Sequence, residues 1–176
     1  MMEAIQIVRA RLSQSQARDR LSRKRFLRGR QWPDAVELTH LPFYVFEMQL
    51  EPEMKEYGAV DGIHGTFLYF DPTGVQADPV KDAAVLPLPR LDWQQAREQA
   101  LVEYRRALLQ ASMRRGGRPW EIKRIAPLGQ FYLPYWIGYF RRGETVRMAV
   151  IDALSGEPQG PKIRRAILAA LNGPST

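Results

Sequence analysis

Two stretches rich in aromatic residues dominate the pattern of apolar and polar positions along the chain. They cover residues 41–50 and 133–140 and begin Leu-Pro-Phe-Tyr and Leu-Pro-Tyr-Trp. In the earlier stretch, polar Glu47 and Gln49 alternate with apolar residues, which predicts a strand with one solvated face. The later stretch runs through an Arg-Gly turn into a second apolar segment, residues 144–152. A turn this short predicts an antiparallel hairpin.

Three helices are predicted from apolar residues at helical spacing. The clearest covers residues 92–115, because Asp92 is a favourable N-cap and Gln95 follows three residues later. A basic helix is predicted over residues 3–28, and a short C-terminal helix is predicted over residues 161–171, with proline at its first position. Helices therefore alternate with groups of strands along the chain.

The two halves of the chain repeat the same order of predicted elements. Each half has a helix, the sequence Gly-Arg-x-Trp starting at Gly29 or Gly117, a short strand, the Leu-Pro-aromatic stretch and a return strand. Each copy closes on a Thr-Gly or Ser-Gly pair, at residues 73–74 and 155–156. This order predicts an internal duplication. A chance likeness between two α+β halves is the alternative.

The predicted fold is therefore α+β, a tandem repeat of a helix packed on a three- to four-stranded antiparallel sheet, with a short C-terminal helix. Residues 1–74 form the first predicted repeat and include the basic N-terminal helix. Residues 75–91 are rich in proline, which predicts an extended linker. Residues 92–176 form the second predicted repeat and the C-terminal helix.

The charge of the chain is distributed in bands along the sequence. The 176 residues carry a net charge of +7, but residues 1–31 carry +7, residues 32–92 carry −8 and residues 93–176 carry +8. Bands of opposite sign can neutralise each other within a fold, or they can attract an outside polyanion. Composition alone leaves both interpretations open.

Several classes of chemistry are excluded by the residues that are missing. The chain contains no cysteine, which excludes disulfides, thiolate metal sites and a cysteine nucleophile. It also lacks a Gly-x-Ser-x-Gly nucleophile motif and a glycine-rich phosphate loop. We therefore predict a protein that is not an enzyme, with no catalytic residues, cofactor or metal. A metal site formed by His40, His64 and a nearby carboxylate is the alternative.

No segment of the sequence indicates export or membrane insertion. The first residues lack the apolar run of a signal peptide, and no window approaches the roughly 18 apolar residues of a membrane span. We therefore predict that the chain has no membrane span and is located in the bacterial cytoplasm.

Ten basic residues are the strongest candidates for binding a partner or a polyanion. Seven lie in or just after the predicted N-terminal helix, and three lie at or just after the end of the second helix. They are Arg18, Arg20, Arg23, Lys24, Arg25, Arg28, Arg30, Arg114, Arg115 and Arg118. Contacts between such residues and phosphates would be salt-dependent and weakly sequence-specific. Packing of the basic helix on the acidic segment 32–92, or on another protein, is the alternative.

The aromatic residues of the predicted strands allow two interpretations. Rings exposed on a sheet would form a platform for base stacking, whereas rings that face helices would form the core. The set comprises Phe43, Tyr44, Phe46, Tyr135, Trp136, Tyr139 and Phe140. One face of a small sheet cannot bury seven rings, but two helix-covered sheets can hide most of them. We therefore favour the core.

The end of the second predicted hairpin resembles a known family. Residues 150–157 read Val-Ile-Asp-Ala-Leu-Ser-Gly-Glu, which is similar to the hydrophobic-Asp-Ala-x-Thr/Ser-Gly-Glu ending of PepSY domains. The resemblance covers about residues 92–158, whereas the first half departs from it with a shorter turn and a more polar helix. It implies a small helix-on-sheet fold with a non-catalytic binding or regulatory role, and it supplies no site residues. PepSY domains are mostly exported or membrane-attached, which the N-terminus of this chain does not match.

The function predicted from these features is non-enzymatic binding or scaffolding, through the sheet surface and the basic helix. The expected partner is another protein, or a second copy of the chain in a homodimer favoured by unpaired edge strands. A nucleic-acid-binding accessory protein that uses its arginine-rich helix ends is the second hypothesis. A hydrolase or metal-dependent enzyme around His40 and His64 is the third.

Overall fold

The computed structural model describes residues 5–25, 29–51, 53–118 and 120–173. Within these residues the chain is α+β, with three helices, a seven-stranded mixed sheet and a separate two-stranded ribbon. The helices are α1 Gln14–Leu21, α2 Trp93–Arg115 and α3 Pro161–Leu171. The strands are β1 Ile5–Val8, β2 Arg23–Arg25, β3 Gly29–Gln31, β4 Ala35–Glu51, β5 Met54–Asp61, β6 Phe67–Tyr69, β7 Ala77–Pro79, β8 Glu121–Arg142 and β9 Thr145–Asp152. Short 3₁₀ turns cover Pro72–Gly74 and Ala83–Val85.

The large sheet is mixed, so the prediction of a purely antiparallel sheet is wrong. Its strands follow the order β6-β5-β4-β8-β1-β7, and β9 also pairs with β8. Strand β1 runs parallel to β8, with Ile7 opposite Tyr132, and antiparallel to β7, with Val8 opposite Ala77. These partners are far apart in sequence, and the local pattern of apolar residues carries no information about them.

The predicted basic helix over residues 3–28 is also wrong. The described part of that segment forms β1, the eight-residue helix α1 and strand β2. Helix α1 begins after Ser13, whose side chain and that of Gln16 form a capping box, and Leu21 is its last residue. The β-branched residues of β1 favour a strand, which pairs with β7 and β8. Their spacing also matches a helix, which explains the error.

Both aromatic stretches form hairpins, but the first hairpin differs from the prediction. Strand β4 is unbroken and pairs with β5, so that Phe43 lies opposite Asp61. The acidic residues and glycines of residues 51–62 predict a connection, and residues 63–70 predict the return strand. In the structure residues 54–61 form the return strand β5, and β6 covers only Phe67–Tyr69. Residues 127–129, Pro-Leu-Gly, predict a turn between two strands, but β8 runs unbroken through them and pairs with β9. Cross-strand pairing here outweighs the low strand propensity of charged residues, proline and glycine.

Helices α2 and α3 confirm two sequence predictions. Helix α2 begins after Asp92, whose carboxylate accepts the backbone N–H of Gln95 at 2.8 Å, while the Gln95 side chain accepts the N–H of Asp92 at 3.0 Å. Helix α3 covers the predicted residues and starts with a proline. Local signals suffice in both helices because capping boxes and N-terminal prolines act within the first turn.

The chain forms two compact units, and each unit combines segments from both halves of the sequence. Unit 1 contains residues 1–8 and 42–132, and unit 2 contains residues 9–41 and 133–176. These units do not follow the boundaries proposed for the repeats at residues 74 and 92. That division stays a prediction about the organisation of the sequence.

In unit 1, helix α2 packs on β5 and β6. Tyr44 and Phe46 of β4 and Val60 of β5 form a buried cluster with Ala96 and Ala100 of α2. A second buried cluster contains Met48, Leu50 and Tyr104. The alanines are spaced four residues apart, so they lie on the same face of the helix and leave room for the larger strand side chains.

In unit 2, helix α1 packs on β9. Ala17 and Leu21 of the helix form a buried cluster with Trp136 of β8 and Ile151 of β9. Gly138 of β8 lies against this helix, because a Cβ atom at that position would come within 3.1 Å of the Leu21 side chain. A Cβ atom at position 138 would therefore require the Leu21 side chain to move by a few tenths of an ångström.

The strand aromatics form the core, as favoured from the sequence. Six of the seven rings are buried, and Tyr139 is half-buried. In unit 1 the rings of β4 pack with residues of α2, and in unit 2 the ring of Trp136 of β8 packs with residues of α1. These rings therefore offer no platform for bases.

A hydrogen-bonded framework joins the start of α2 to the hairpin of unit 1. The N–H of Leu91 donates to the carbonyl of Gly62 at 2.9 Å, and the hydroxyl of Tyr44 donates to the carbonyl of Leu91 at 2.5 Å. Asp61 closes the turn after β5 by accepting three backbone N–H groups on its carboxylate. Gly65 lies in the same turn with a φ of 76°, a conformation that favours glycine.

Unit 2 contains the same framework at the start of α1. The N–H of Leu12 donates to the carbonyl of Ala153 at 3.0 Å, and the indole N–H of Trp136 donates to the carbonyl of Leu12 at 2.9 Å. Asp152 closes the turn after β9 by accepting two backbone N–H groups, a common role of aspartate in turns. Gly156 has a φ of 77° there. Each of these bonds has a counterpart in unit 1.

Candidate polyanion-binding surface

The ten predicted basic residues are divided between the two compact units. Those described in unit 2 are Arg18 and Arg20 on α1, Arg23, Lys24 and Arg25 on β2, and Arg30 on β3. Those in unit 1 are Arg114 and Arg115 in the last turn of α2, and Arg118 just after it. Arg28 lies outside the described residues. The larger group therefore belongs to one compact unit.

A short basic ribbon, formed by strands β2 and β3, replaces the end of the predicted N-terminal helix. Strands β2 and β3 pair antiparallel, and Lys24 is the register partner of Arg30. The ribbon sequence contains no carboxylate, and the nearest ones in sequence are Asp19 and Asp34. The ribbon sequence is therefore a local excess of positive charge.

Two arginines of α1 are held by backbone carbonyl groups. Arg18 donates to the carbonyl of Pro33, and Arg20 donates to the carbonyl of Ser155, each at 3.4 Å. The Arg20 side chain also lies against Gly156, where a Cβ atom would come within 2.6 Å of its guanidinium group. These contacts orient the two cations, and within the described residues neither guanidinium group lies at ion-pair distance from a carboxylate.

Two arginines of the ribbon are held by aromatic rings. The guanidinium carbon of Arg23 lies 4.9 Å from the ring centroid of Phe140, which is buried in β8. The guanidinium carbon of Arg30 lies at the same distance from the ring of Trp32, which is 42% exposed. A guanidinium group over a ring face is attracted by the ring quadrupole, and this attraction also leaves the net charge unchanged.

Arg30 makes further contacts that fix it against the end of α1. It donates to the hydroxyl of Ser22 at 2.5 Å and to the carbonyl of Asp19 at 3.0 Å. A cation near the last carbonyl groups of a helix is favoured by the helix dipole. Arg30 therefore ties the ribbon to the helix that carries Arg18 and Arg20.

We call Arg18, Arg20, Arg23 and Arg30 the arginine surface. Within the described residues, none of their guanidinium groups forms an ion pair with a carboxylate. Unit 2 as a whole contains fifteen Lys and Arg residues and six Asp and Glu residues, for a net charge of +9, whereas unit 1 sums to −2. The positive excess of the chain is therefore concentrated in the unit that carries the arginine surface.

The two histidines lie in different compact units. His40 is part of β4 in unit 2, and His64 is exposed in the turn after β5 in unit 1. Among the residues that the structure describes, no group of three or more His, Cys, Asp or Glu side chains could hold a metal ion. The expected absence of a metal site, a cofactor and enzymatic activity stays a prediction.

The sequence interpretation missed both the ribbon and the exposed Trp32. The one available signal is the 14-residue span without a carboxylate between Asp19 and Asp34. Gly29 has a φ of 73°, a conformation that suits a turn between strands and equally the residue after a helix. The glycine alone therefore does not separate a ribbon from the end of a helix.

A partly buried tyrosine lies on the strands of unit 2. The hydroxyl of Tyr139 donates to the carboxylate of Glu37 at 2.9 Å. Burial, followed by the hydrogen bond to Glu37 and then the negative charge of that carboxylate, raises the pKa of Tyr139 to about 12. The neutral phenol is thus favoured in the folded state.

We expect Tyr139 to make the folded state sensitive to alkaline pH. Because its folded pKa lies above the unfolded value of about 10, its contribution to stability is complete below pH 10 and is lost as pH rises toward about 12. Urea unfolding at pH 9 to 12 should show a falling free energy of unfolding, with a shallower fall in Tyr139→Phe and Glu37→Gln. Equal slopes in all three proteins would contradict this assignment.

No protein-family model matches the chain, and no curated protein or solved structure matches it. The resemblance to PepSY domains therefore stays a prediction. Among the helices of the described residues, none is both long and apolar enough to cross a membrane.

Proposed function

We propose that the chain is a non-enzymatic binding protein of the bacterial cytoplasm whose ligand is a nucleic acid, held by the arginine surface of unit 2. One observation carries the proposal: within the described residues, the four guanidinium groups contact carbonyl groups, a hydroxyl and rings, and none contacts a carboxylate. The arginines are therefore oriented without being neutralised. Guanidinium groups in this state are well suited to charge-assisted hydrogen bonds with phosphates.

The charge of unit 2 favours a polyanion over a neutral ligand. Its net charge of +9 includes cationic Lys24 and Arg30 at paired positions of the ribbon. Phosphates placed along such a surface would release counterions and relieve the repulsion between the arginines.

The binding surface differs from the one first expected. The strand aromatics are buried, so the sheet surface offers few of the contacts that were predicted for it. The arginine-rich end of the N-terminal segment remains as the candidate surface, in the form of a ribbon and a short helix. A protein partner or a homodimer stays a prediction.

We also infer that the chain contains a duplicated helix-and-hairpin segment, as the sequence order predicts. The support is the pair of matching frameworks, in which Tyr44 and Trp136 occupy equivalent positions after Leu-Pro. The sequence Arg-Leu-Asp lies just before α2, and Arg-Leu-Ser lies just before α1. In each sequence the backbone N–H groups of the arginine and the leucine donate to one carbonyl group, that of Gly62 or of Ala153, and these two carbonyl groups lie in equivalent turns. In this comparison the first copy ends at Gly65 rather than at residues 73–74. Helix α1 of the first half packs in unit 2, which contains most of the hairpin of the second half. Helix α2 of the second half packs in unit 1, which contains most of the hairpin of the first half.

Salt dependence is the test of nucleic-acid binding. A fluorescein-labelled 20-nucleotide DNA strand of mixed sequence would be titrated with the full chain in 50 mM and 200 mM NaCl, and anisotropy would report binding. Four phosphate contacts predict an affinity about 50-fold lower at the higher salt concentration, because each contact releases counterions. Binding that does not weaken with salt, or no binding at either concentration, would overturn the proposal.

A matched pair of double variants would locate the surface. Arg23→Gln/Arg30→Gln removes two charges of the arginine surface and should reduce the slope of log affinity against log salt by about 1.4. Arg114→Gln/Arg115→Gln removes the same charge from unit 1 and should leave affinity and slope unchanged. Circular dichroism of both variants would confirm that they are folded. Equal losses in the two variants would mean that binding reflects total charge and not this surface.

A further inference from the structure

We infer that the nucleic acid bound by the arginine surface is single-stranded, and that one of its bases stacks on the indole ring of Trp32 beside the guanidinium group of Arg30. This inference rests on the proposed function, because it names the class of nucleic acid and the residue that contacts a base. It is carried by the exposure of Trp32 and by the contacts that fix Arg30.

Trp32 is an exposed aromatic ring within a basic segment. It is 42% exposed, whereas Trp136 of the same unit is 8% exposed and donates its indole N–H to a carbonyl. Within the described residues, the indole N–H of Trp32 has no hydrogen-bond acceptor. An exposed indole loses hydrophobic stabilisation that burial would provide. A ligand that covers the ring would recover it.

Arg30 defines the chemical surroundings of this ring. Its guanidinium group lies over the indole and is fixed by the Ser22 hydroxyl and the Asp19 carbonyl. These two bonds use two of the five N–H donors of an arginine, so others remain for a phosphate. A flat apolar ring and an oriented cation are thus available side by side.

A nucleotide of a single strand fits this pair of groups. Its base can stack on the indole while its phosphate accepts hydrogen bonds from Arg30, the combination used for single-stranded ligands. In a duplex each base is already stacked between its neighbours, and only phosphates and groove edges are accessible to the protein. The ring of Trp32 would then remain exposed. The structure therefore favours a single strand.

Three probes would separate base stacking from phosphate binding. They are fluorescein-labelled single-stranded dT15, a 15-mer of the same backbone with abasic sites throughout, and a 15-base-pair duplex of mixed sequence. Anisotropy at 100 mM NaCl would give their affinities for the full chain. We expect the affinity of dT15 to be at least about tenfold higher than that of the abasic strand, because stacking of one base on an aromatic residue contributes about a factor of ten in affinity. We also expect dT15 to bind more tightly than the duplex.

Variants at two exposed tryptophans would identify the ring. Trp32→Leu keeps an apolar side chain under Arg30 and should lower the affinity for dT15 about tenfold, to the level of the abasic strand. Trp32→Phe should retain part of the preference. Trp120→Leu is the matched control, since Trp120 of unit 1 is 41% exposed, and it should behave as wild type. Quenching of tryptophan fluorescence by unlabelled dT15 should be reduced in Trp32→Leu alone.

The outcomes distinguish this inference from the proposed function. Equal affinity for dT15 and the abasic strand, an unchanged affinity in Trp32→Leu, or tighter binding of the duplex would overturn the stacking site. Salt-dependent binding that depends on Arg23 and Arg30 would still support the proposed function in each of those cases. Failure of all three probes to bind would overturn both.

Discussion

Residues 1–84 and residues 85–176, expressed separately, are expected to give two fragments without native tertiary structure. The cut lies at Val85, which is 83% exposed, so it removes few contacts of its own. Each compact unit nevertheless contains segments from both sides of the cut. The first fragment would lack α2, which covers the hairpin of unit 1, and the second would lack α1, which packs on β9. Near-ultraviolet circular dichroism and the dispersion of amide signals in NMR spectra would report the loss.

Cleavage after folding provides the control for this prediction. A protease site inserted between residues 84 and 85 of the full chain should be cut without loss of the native spectrum, because the pieces remain held together within each unit. Mixing the separately refolded fragments should restore part of that spectrum in a concentration-dependent way. A native-like spectrum from either fragment alone would contradict the prediction and would support the division proposed from the sequence.

Replacement of Asp61 by alanine is expected to lower the free energy of unfolding by about 4 kcal/mol. Its fully buried carboxylate accepts the backbone N–H groups of Ile63, His64 and Thr66 at 2.9, 2.7 and 2.6 Å. A hydrogen bond to a charged group contributes about 1.5 to 3 kcal/mol, and a buried donor left without an acceptor costs a similar amount. The three losses are not independent, so the total is smaller than their sum. Urea unfolding followed by tryptophan fluorescence would measure it.

The equivalent aspartate of unit 2 and an isosteric variant serve as controls. Asp152 accepts two backbone N–H groups and is partly exposed, so Asp152→Ala should cost about 1 to 2 kcal/mol. Asp61→Asn keeps one carbonyl oxygen but places an amide donor against the N–H of Thr66, and its cost should be intermediate. A loss below about 1 kcal/mol in Asp61→Ala would mean that the turn finds other acceptors for its N–H groups.

Hydrogen bonds close in sequence explain which elements could be predicted. Helix α2 was predicted because Asp92 and Gln95 bond to each other's backbone within one turn. Helix α3 was predicted because its proline and apolar spacing lie within 11 residues. The turn at Asp152 is held by equally local bonds, since its acceptor and donors are two and three residues apart.

Long-range pairing explains the errors. Strand β1 has apolar residues at helical spacing and becomes a strand because β7 and β8 pair with it. Strand β5 contains Lys55 and Glu56, which disfavour a strand, yet its backbone pairs with β4 along eight residues. The basic ribbon is a different case, because β2 pairs with the nearby strand β3, which begins just beyond the segment in which the helix pattern is recognised.

The candidate site was only partly predictable. The sequence identified arginines 18, 20, 23 and 30 as a basic group, because their number and spacing are visible in the sequence. It could not show that carbonyl groups and rings hold them, since Ser155 and Phe140 lie more than 100 residues away. It also gave no reason to separate Trp32 from the other aromatic residues.

The sequence by itself determined the α+β class, the capped helix α2, the C-terminal helix and the presence of two aromatic strands. Capping bonds, apolar periodicity and charge composition act over a few residues, so each can be recognised locally. The tertiary structure decided which strands pair, which halves of the chain share a compact unit, and which rings are buried. Strand partners and burial depend on residues far away in sequence, and apolar spacing contains no information about their position.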